Sequence, residues 1–261
     1  MPIGLQGYTT RFRVYNAAQV EDTYKKLSEM GYDGPESGLG GRFMSPEEDI
    51  ALLNKYGLKV ADTFGDLSKP DEVLKRTEQY GVKIVGVPSI PGEMLHSVEG
   101  FQEYAQRLNE LAKPFKGTGI KLQYHNHSQE FRNFPQLNGK PGLAILIEET
   151  DPDMIVFELD TFWMAAAGAD PVQWIEKVSG RIPIIHFKDL AIDWKAEDGG
   201  MGQVYKRFAE IGQGNINWPP IVDACVKAGV EWYCVEQDRT VLDEYECLRI
   251  SIDYMRGIGV K

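Results

Sequence analysis

The 261-residue chain is long enough to bury a large core, and its formal net charge of −11 argues against a nucleic-acid partner, whose phosphates need a basic surface. No run of eighteen apolar residues predicts a membrane-spanning helix. The N-terminus has no basic region followed by an apolar core, so we expect no signal peptide and a cytoplasmic protein, although a leader already removed would leave the same N-terminus. A small polar molecule is the expected partner.

Eight short apolar runs are spaced along the chain in the manner of β-strands. They cover residues 3–9, 32–37, 59–66, 83–89, 121–127, 154–162, 182–188 and 231–237. Between most of them the apolar residues recur at helical spacing, as in Val20, Tyr24, Leu27 and Met30. Several of these stretches end in Gly, the residue that most often caps a helix C-terminus. This alternation is typical of parallel βαβ units.

Eight such units predict an α/β fold of the (β/α)8 TIM barrel type, with one domain over residues 1–261. An open doubly wound sheet is the alternative, but it would more naturally show a Gly-rich phosphate loop after the first strand. The long connection from about residue 191 to 208 carries Asp193, Trp194, Glu197, Asp198 and the pair Gly199-Gly200. A lid over the site and an ordinary exposed insertion both fit this connection.

Polar side chains end the last four predicted strands, and the active site of a TIM barrel lies at the C-terminal ends of its strands. The fifth ends in His125-Asn126-His127, with Glu130 close behind. Alternate residues of a strand point to the same face, so both imidazoles are expected to project together. The next three strands end in Asp160, in His186 with Lys188, and in Glu236.

These side chains suit a divalent cation such as Mn²⁺, Co²⁺, Mg²⁺, Fe²⁺ or Zn²⁺, because they offer oxygen and nitrogen ligands without cysteine. Each residue has an ordinary explanation when it is taken alone. Asp160 could be a helix N-cap, and Lys188 could form a local ion pair with Asp189. Their concentration on four consecutive strands, with three of the four histidines of the chain among them, favours one shared site.

Five segments of the chain resemble the sugar phosphate isomerase/epimerase group of the xylose-isomerase-like barrels, which also include inosose dehydratases and tagatose-type 3-epimerases. The segments are YHNHSQEF, FELDTFWMAAAGADPVQWI, GRIPIIHFKDL, IGQGNINWPPIV and YCVEQD. The resemblance covers essentially the whole chain and implies one divalent metal ion held by Asp160, His186 and Glu236. Many relatives place a Glu where this chain has His125. We favour Glu130 as the fourth ligand, with His125 as the alternative.

The predicted metal would chelate a carbonyl and the neighbouring hydroxyl of a sugar and stabilise the enediolate that proton removal leaves. Glu236, Glu130, His127 and His125 are the candidates for the base and the acid, and Lys188 could hydrogen-bond a substrate oxygen. The sequence thus predicts a sugar, keto-sugar or cyclitol isomerase or epimerase. A dehydratase, lyase or hydratase at the same metal site is the alternative, followed by a non-catalytic sugar-binding barrel. A DNA-repair endonuclease is disfavoured by the acidic charge.

Three further residues are candidates for binding the substrate. Trp163 and Trp218 could stack on a sugar ring, and Glu158, two residues before Asp160, could bind the substrate or orient a ligand. Gly212 and Gly214 lie where some barrels cradle a phosphate, but no Lys or Arg adjoins them, so a phosphorylated substrate is not predicted. The sequence leaves open whether the protein forms a homo-oligomer.

Overall fold

The computed structural model describes residues 1–195 and 203–260. Strands and α-helices alternate along these residues. The strands are β1 (Ile3–Leu5), β2 (Gly34–Pro35), β3 (Ile84–Gly86), β4 (Lys121–His125), β5 (Asn133–Phe134), β6 (Lys140–Pro141), β7 (Ile155–Asp160), β8 (Ile184–Phe187), β9 (Asp189–Lys195), β10 (Gln203–Ala209) and β11 (Trp232–Val235). The helices are α1 (Ala17–Met30), α2 (Pro46–Lys55), α3 (Pro70–Tyr80), α4 (Val98–Ala112), α5 (Gly142–Glu149), α6 (Thr161–Ala166), α7 (Pro171–Lys177), α8 (Trp218–Ala228) and α9 (Glu244–Gly257).

A parallel sheet forms the centre of the fold, in the order β2-β1-β11-β8-β7-β4-β3. The extended segment 59–63 lies between the two edge strands of this sheet. The Lys59 amide donates to the Asp33 carbonyl beside β2 (2.9 Å), and Thr63 forms a parallel bridge to Val85 of β3. The segment therefore takes the place of the predicted third strand, and the predicted TIM barrel fold is confirmed.

The observed strands are shorter than the predicted ones, because each chain segment leaves the sheet and turns over the C-terminal face of the barrel. The first run ends as a strand at Leu5 and continues as the 3₁₀ turn Gly7–Thr10. Gly34 lies where β2 passes segment 59–63, and a Cβ at this position would overlap the Lys59 carbonyl group. The sheet can close at that point only because residue 34 is glycine.

The helices cover the outside of the barrel with their apolar faces turned towards the sheet. The predicted stripe of α1 is buried at Val20, Tyr24, Leu27 and Met30, and α2 begins with a capping box between Ser45 and Glu48. Burying such stripes contributes about 25 cal/mol per Å² of apolar surface and fixes the helices on the barrel. Among the described residues, no helix is long and apolar enough to cross a membrane.

The long connection after β8 is an antiparallel hairpin formed by β9 and β10. The ring of Phe208 stacks on Phe162 of α6, with their centroids 4.2 Å apart, and this contact fixes the base of the hairpin beside the C-terminal face of the barrel. Glu197, Asp198, Gly199 and Gly200, which belong to the connection that fits either a lid or an exposed insertion, lie outside the described residues.

Asp189, at the start of that hairpin, is a buried hydrogen-bond acceptor for the loop that precedes α8. Its Oδ2 accepts hydrogen bonds from the amides of Gly212 (2.9 Å) and Gly214 (3.1 Å) and from Trp218 Nε1 (2.9 Å). Gly214 has no room for a Cβ, which would overlap the carboxylate. These hydrogen bonds hold the end of β8, and therefore Lys188, against the loop.

Replacing Asp189 by Asn should lower the free energy of unfolding by about 2–4 kcal/mol, because an amide NH₂ cannot accept the hydrogen bonds that one carboxylate oxygen accepts here. Urea unfolding followed by circular dichroism measures the change. Asp223, which is exposed on α8, provides the matched control, and Asp223→Asn should change stability by less than about 0.5 kcal/mol. Equal stability of the two variants would contradict the role assigned to Asp189.

Candidate active site

A cavity of about 370 Å³ opens at the C-terminal ends of the strands. Its polar floor comes from the ends of β4, β7, β8 and β11, and its walls include aromatic side chains from the loops after β1 and segment 59–63. The lining side chains include Tyr8, Phe64, Gln123, His125, His127, Glu158, His186, Lys188, Glu236 and Asp238. The volume lies within the range of small-ligand pockets.

Four side chains at this floor could hold one metal ion. Ligand-capable atoms of His125, Asp160, His186 and Glu236 all lie within 4.8 Å of one another. Each of these residues also has a buried polar atom without a hydrogen bond, namely His125 Nδ1, Asp160 Oδ2, His186 Nδ1 and Glu236 Oε2. These atoms lie against one another, Lys188 and Glu158 without hydrogen bonds of normal geometry, and a bound cation would satisfy them. Two nitrogens and two carboxylates are a suitable donor set for a divalent transition metal.

Lys188 lies among three of the carboxylates and is 1% exposed. Its Nζ is 2.6 Å from Glu236 Oε2 and 3.1 Å from both Asp160 Oδ2 and Asp238 Oδ1. The contacts with Glu236 and Asp160 are ion pairs by distance. Neither Glu236 Oε2 nor Asp160 Oδ2, however, has a hydrogen bond of normal geometry. Burial opposes the charge of Lys188, but the three carboxylates outweigh it and raise its pKa above the ordinary value. Lys188 is therefore a protonated donor and not a base.

His186 is surrounded by carboxylates on both sides of its ring. Its Nδ1 is 3.1 Å from Glu236 Oε2 and 4.0 Å from Asp160 Oδ2. Burial opposes protonation, but the charges of Glu158, Glu36 and Glu236 raise the pKa of His186 well above its ordinary value. Burial likewise opposes the charge of Glu236, yet Lys188 and His186 hold its pKa well below the usual range. A metal ion would replace the proton on His186.

Glu130, which we favoured as the fourth ligand, is not brought together with these residues. Its Oε1 accepts a hydrogen bond from the Tyr124 hydroxyl (2.6 Å), and its Oε2 accepts one from the His127 amide (3.0 Å). The 3₁₀ turn Gln129–Phe131 directs the side chain back onto the loop. The structure therefore groups His125, the alternative fourth ligand, and not Glu130 with Asp160, His186 and Glu236.

The two tryptophans differ in position. Trp163 lies beside the site, with its ring 5.5 Å from the ring of His127 and Lys188 Nζ 5.1 Å from its centroid. Trp218 is 0% exposed and packs against Phe187 (4.7 Å). The prediction that Trp218 stacks on a sugar is wrong, because its ring has no accessible face.

His127 lines the cavity but does not belong to the group of residues that could share a metal ion. Burial, followed by the charges of His125 and Lys188, lowers the pKa of His127 to about 4, and its Nδ1 makes no hydrogen bond. It is a neutral imidazole at neutral pH.

Glu158 lies 3.4 Å from His125 Nδ1 and accepts a hydrogen bond from Gln123 (3.0 Å). Burial opposes its charge, but His186 and His125 lower the pKa of Glu158 to about 2.

Three acidic residues of the site were missed by the sequence analysis. Glu36 and Asp62 are 1% exposed and lie after β2 and in segment 59–63, and Asp238 pairs with Lys188. Glu36 is the penultimate residue of the predicted run 32–37, so the rule that strand ends carry the site would have identified it if it had been applied to all eight strands.

The family of the chain follows from comparison with known proteins. A family model described as "Xylose isomerase-like TIM barrel" matches residues 24–257. Inosose dehydratase from Mesomycoplasma hyopneumoniae strain J is 26% identical over 91% of this chain and 88% of its own length. Inosose dehydratase from Geobacillus kaustophilus is 24% identical over 90% of this chain and 86% of its own length.

Solved structures share the same fold. A sugar phosphate isomerase/epimerase from Parabacteroides distasonis superposes with a TM-score of 0.75, at 24% identity, over 98% of this chain and 93% of that one. A probable 3-DHS dehydratase from Bacillus anthracis gives a TM-score of 0.73 at 15% identity, over 98% and 99% of the two chains. The matched length, the closed barrel and the cluster at its C-terminal face agree, and the chain belongs to the xylose isomerase-like TIM barrel family.

Proposed function

We propose that this protein is a divalent-metal-dependent enzyme that removes the proton beside a carbonyl of a sugar, keto-sugar or cyclitol and returns it so that the substrate is isomerised or epimerised. The observation that carries the proposal is the convergence of ligand atoms from His125, Asp160, His186 and Glu236 within 4.8 Å. Family relatives with epimerase names, such as an L-ribulose 3-epimerase that superposes with a TM-score of 0.70, are consistent with it.

Each residue of the site would have its own role in this reaction. His125, Asp160, His186 and Glu236 hold the cation, which when bound stabilises negative charge on neighbouring substrate oxygens. His127 is neutral and lines the cavity, so it can accept a proton, although its lowered pKa makes it a weaker base than an ordinary histidine. Lys188 is a protonated donor that hydrogen-bonds a substrate oxygen and stabilises the charge developing there.

The carboxylate of Glu236 is the second candidate proton carrier, because it also lines the cavity. Two proton carriers at one cavity suit epimerisation, in which the proton leaves one face of the carbon and returns to the other.

Trp163 lies beside His127 and offers an apolar surface to a sugar ring. Glu158 lies beneath both histidine ligands and would orient them more than it would bind substrate.

The substrate is expected to lack a phosphate group, for two reasons. Lys188 is the one Lys or Arg among the described residues that line the cavity, and three carboxylates already surround it. The amides of Gly212 and Gly214, in the loop where some barrels bind phosphate, both donate to the Asp189 carboxylate. An internal carboxylate thus occupies the donors that a phosphate would need.

A specific observation favours a second candidate, a dehydratase or lyase. The Mesomycoplasma and Geobacillus relatives that match this chain over nearly its whole length are named inosose dehydratases. Dehydration begins with the same proton removal, and the β-hydroxyl then leaves. Lys188 could hydrogen-bond that leaving group, and the base that removed the carbon-bound proton could return it there, so that one water leaves.

Solvent deuterium uptake tests the proposal. The metal-loaded protein is incubated in D₂O with neutral keto-sugars and inososes, and with phosphorylated keto-sugars, and the products are followed by mass spectrometry. We expect deuterium at carbon in neutral substrates and little in phosphorylated ones. A product of otherwise unchanged composition identifies an isomerase or epimerase, whereas loss of one water identifies the dehydratase. No exchange with any keto-sugar or inosose would refute both.

A further inference from the structure

Glu36 makes the shortest contact to His186 in the site. The residue follows β2 and is 1% exposed, and its Oε2 lies 2.5 Å from His186 Nε2. The other ring nitrogen, Nδ1, faces Glu236 Oε2 (3.1 Å) and Asp160 Oδ2 (4.0 Å). The two nitrogens of His186 therefore face different groups of carboxylates, and only the group at Nδ1 belongs to the proposed metal site.

Glu36, Glu158 and His186 also lie close enough together to be considered as a second metal site. The distances argue against it. Two ligands held about 2.1 Å from one cation lie roughly 3 Å or more apart. The 2.5 Å between Glu36 Oε2 and His186 Nε2 is shorter than that and matches a charge-assisted hydrogen bond. The spacing at Nδ1 instead suits ligands that share a cation.

We infer that Glu36 is a positioning residue that accepts the Nε2–H of His186 and so presents the Nδ1 lone pair to the metal. This inference rests on the metal site proposed above. A carboxylate behind a metal-binding histidine fixes both its tautomer and its ring orientation. Glu158 also approaches Nε2, at 3.1 Å, but it is shared with His125, 3.4 Å away. Glu36 is the closer of the two and makes no contact with His125.

Titration calorimetry with Mn²⁺ or Zn²⁺ tests the inference on Glu36→Gln, in which the size of the side chain is kept and its charge is removed. The affinity is expected to fall about 10- to 100-fold. The unfolding temperature of the metal-free variant should not fall, because the substitution removes one of several crowded buried carboxylates. A purely structural role would lower the unfolding temperature instead.

Asp49→Asn is the matched control, since Asp49 has the same burial as Glu36 and contacts Tyr24 and Tyr80 rather than His186. Its metal affinity should stay within about threefold of the wild type. Glu36→Asp, which keeps the charge but shortens the side chain, should also weaken binding. It provides a second variant if Glu36→Gln does not fold.

Nitrogen NMR of the ¹⁵N-histidine-labelled, zinc-loaded wild type reads the tautomer directly. We expect His186 to carry its proton on Nε2 and to bind zinc through Nδ1. Zinc bound at Nε2, unchanged affinity in Glu36→Gln, or a second bound metal that Glu36→Gln removes would each overturn the inference. If the wild type binds no metal, the proposed function itself fails, and the two failures are thereby distinguished.

Discussion

His186→Ala is expected to abolish activity and to weaken metal binding more than any substitution outside the four ligands. The ring supplies Nδ1 at the centre of the site, 3.1 Å from Glu236 Oε2, and the variant also removes the imidazole that Glu36 and Glu158 contact. A bound cation provides several kcal/mol of transition-state stabilisation, which corresponds to a loss of roughly 10³-fold or more in kcat/KM. Deuterium exchange rates and calorimetric titration measure the two effects.

His96→Ala is the control for this variant, because His96 is exposed and contacts Arg132 instead of the cavity. Activity and metal affinity should both match the wild type. If His186→Ala bound metal as tightly as His96→Ala does, His186 would not be a ligand.

Lys188→Met is expected to lower kcat by roughly 10²- to 10³-fold while metal affinity stays the same or rises. The ammonium lies 2.6 Å from Glu236 Oε2 and 3.1 Å from Asp160 Oδ2. It therefore competes with a cation for two ligand oxygens, and its removal relieves that competition. Catalysis nevertheless loses the donor that would stabilise charge on the substrate. Steady-state kinetics at saturating metal, together with metal titration, separates the two effects.

Lys177→Met, at an exposed position on α7, controls for the general effect of losing a lysine and should behave as the wild type. The assigned role of Lys188 predicts a fall in turnover without a fall in metal affinity. A fall in both, with the same metal dependence as His186→Ala, would show that Lys188 acts only by holding the ligands in place.

The fold and much of the site were predictable because they follow from periodic patterns. Short apolar runs separated by stretches of helical spacing located the strands. Parallel strands bring their C-terminal residues to the same face of the barrel. Asp160, His186 and Glu236 lie together for that reason. The third predicted strand was the least regular, since segment 59–63 joins its neighbours through only a few backbone hydrogen bonds.

The remaining assignments depended on contacts between residues whose arrangement no local pattern encodes. Glu130 follows the strand within a 3₁₀ turn, where strand alternation no longer fixes its direction, and it binds Tyr124 instead of a metal. Trp218 is buried, and its Nε1 donates a hydrogen bond to Asp189 at the start of the hairpin, a contact that no local pattern predicts. Glu36 touches His186 across 150 positions of sequence.

Elemental analysis of the purified protein is the most direct measurement of the central claim, that the chain holds a divalent metal at the C-terminal face of its barrel. The wild type, stripped with a chelator and reloaded, is compared with the double variant Asp160→Ala/His186→Ala. We predict about one Mn, Co, Fe or Zn per wild-type chain and almost none in the variant. No metal in the reloaded wild type, or equal metal in both proteins, would contradict it.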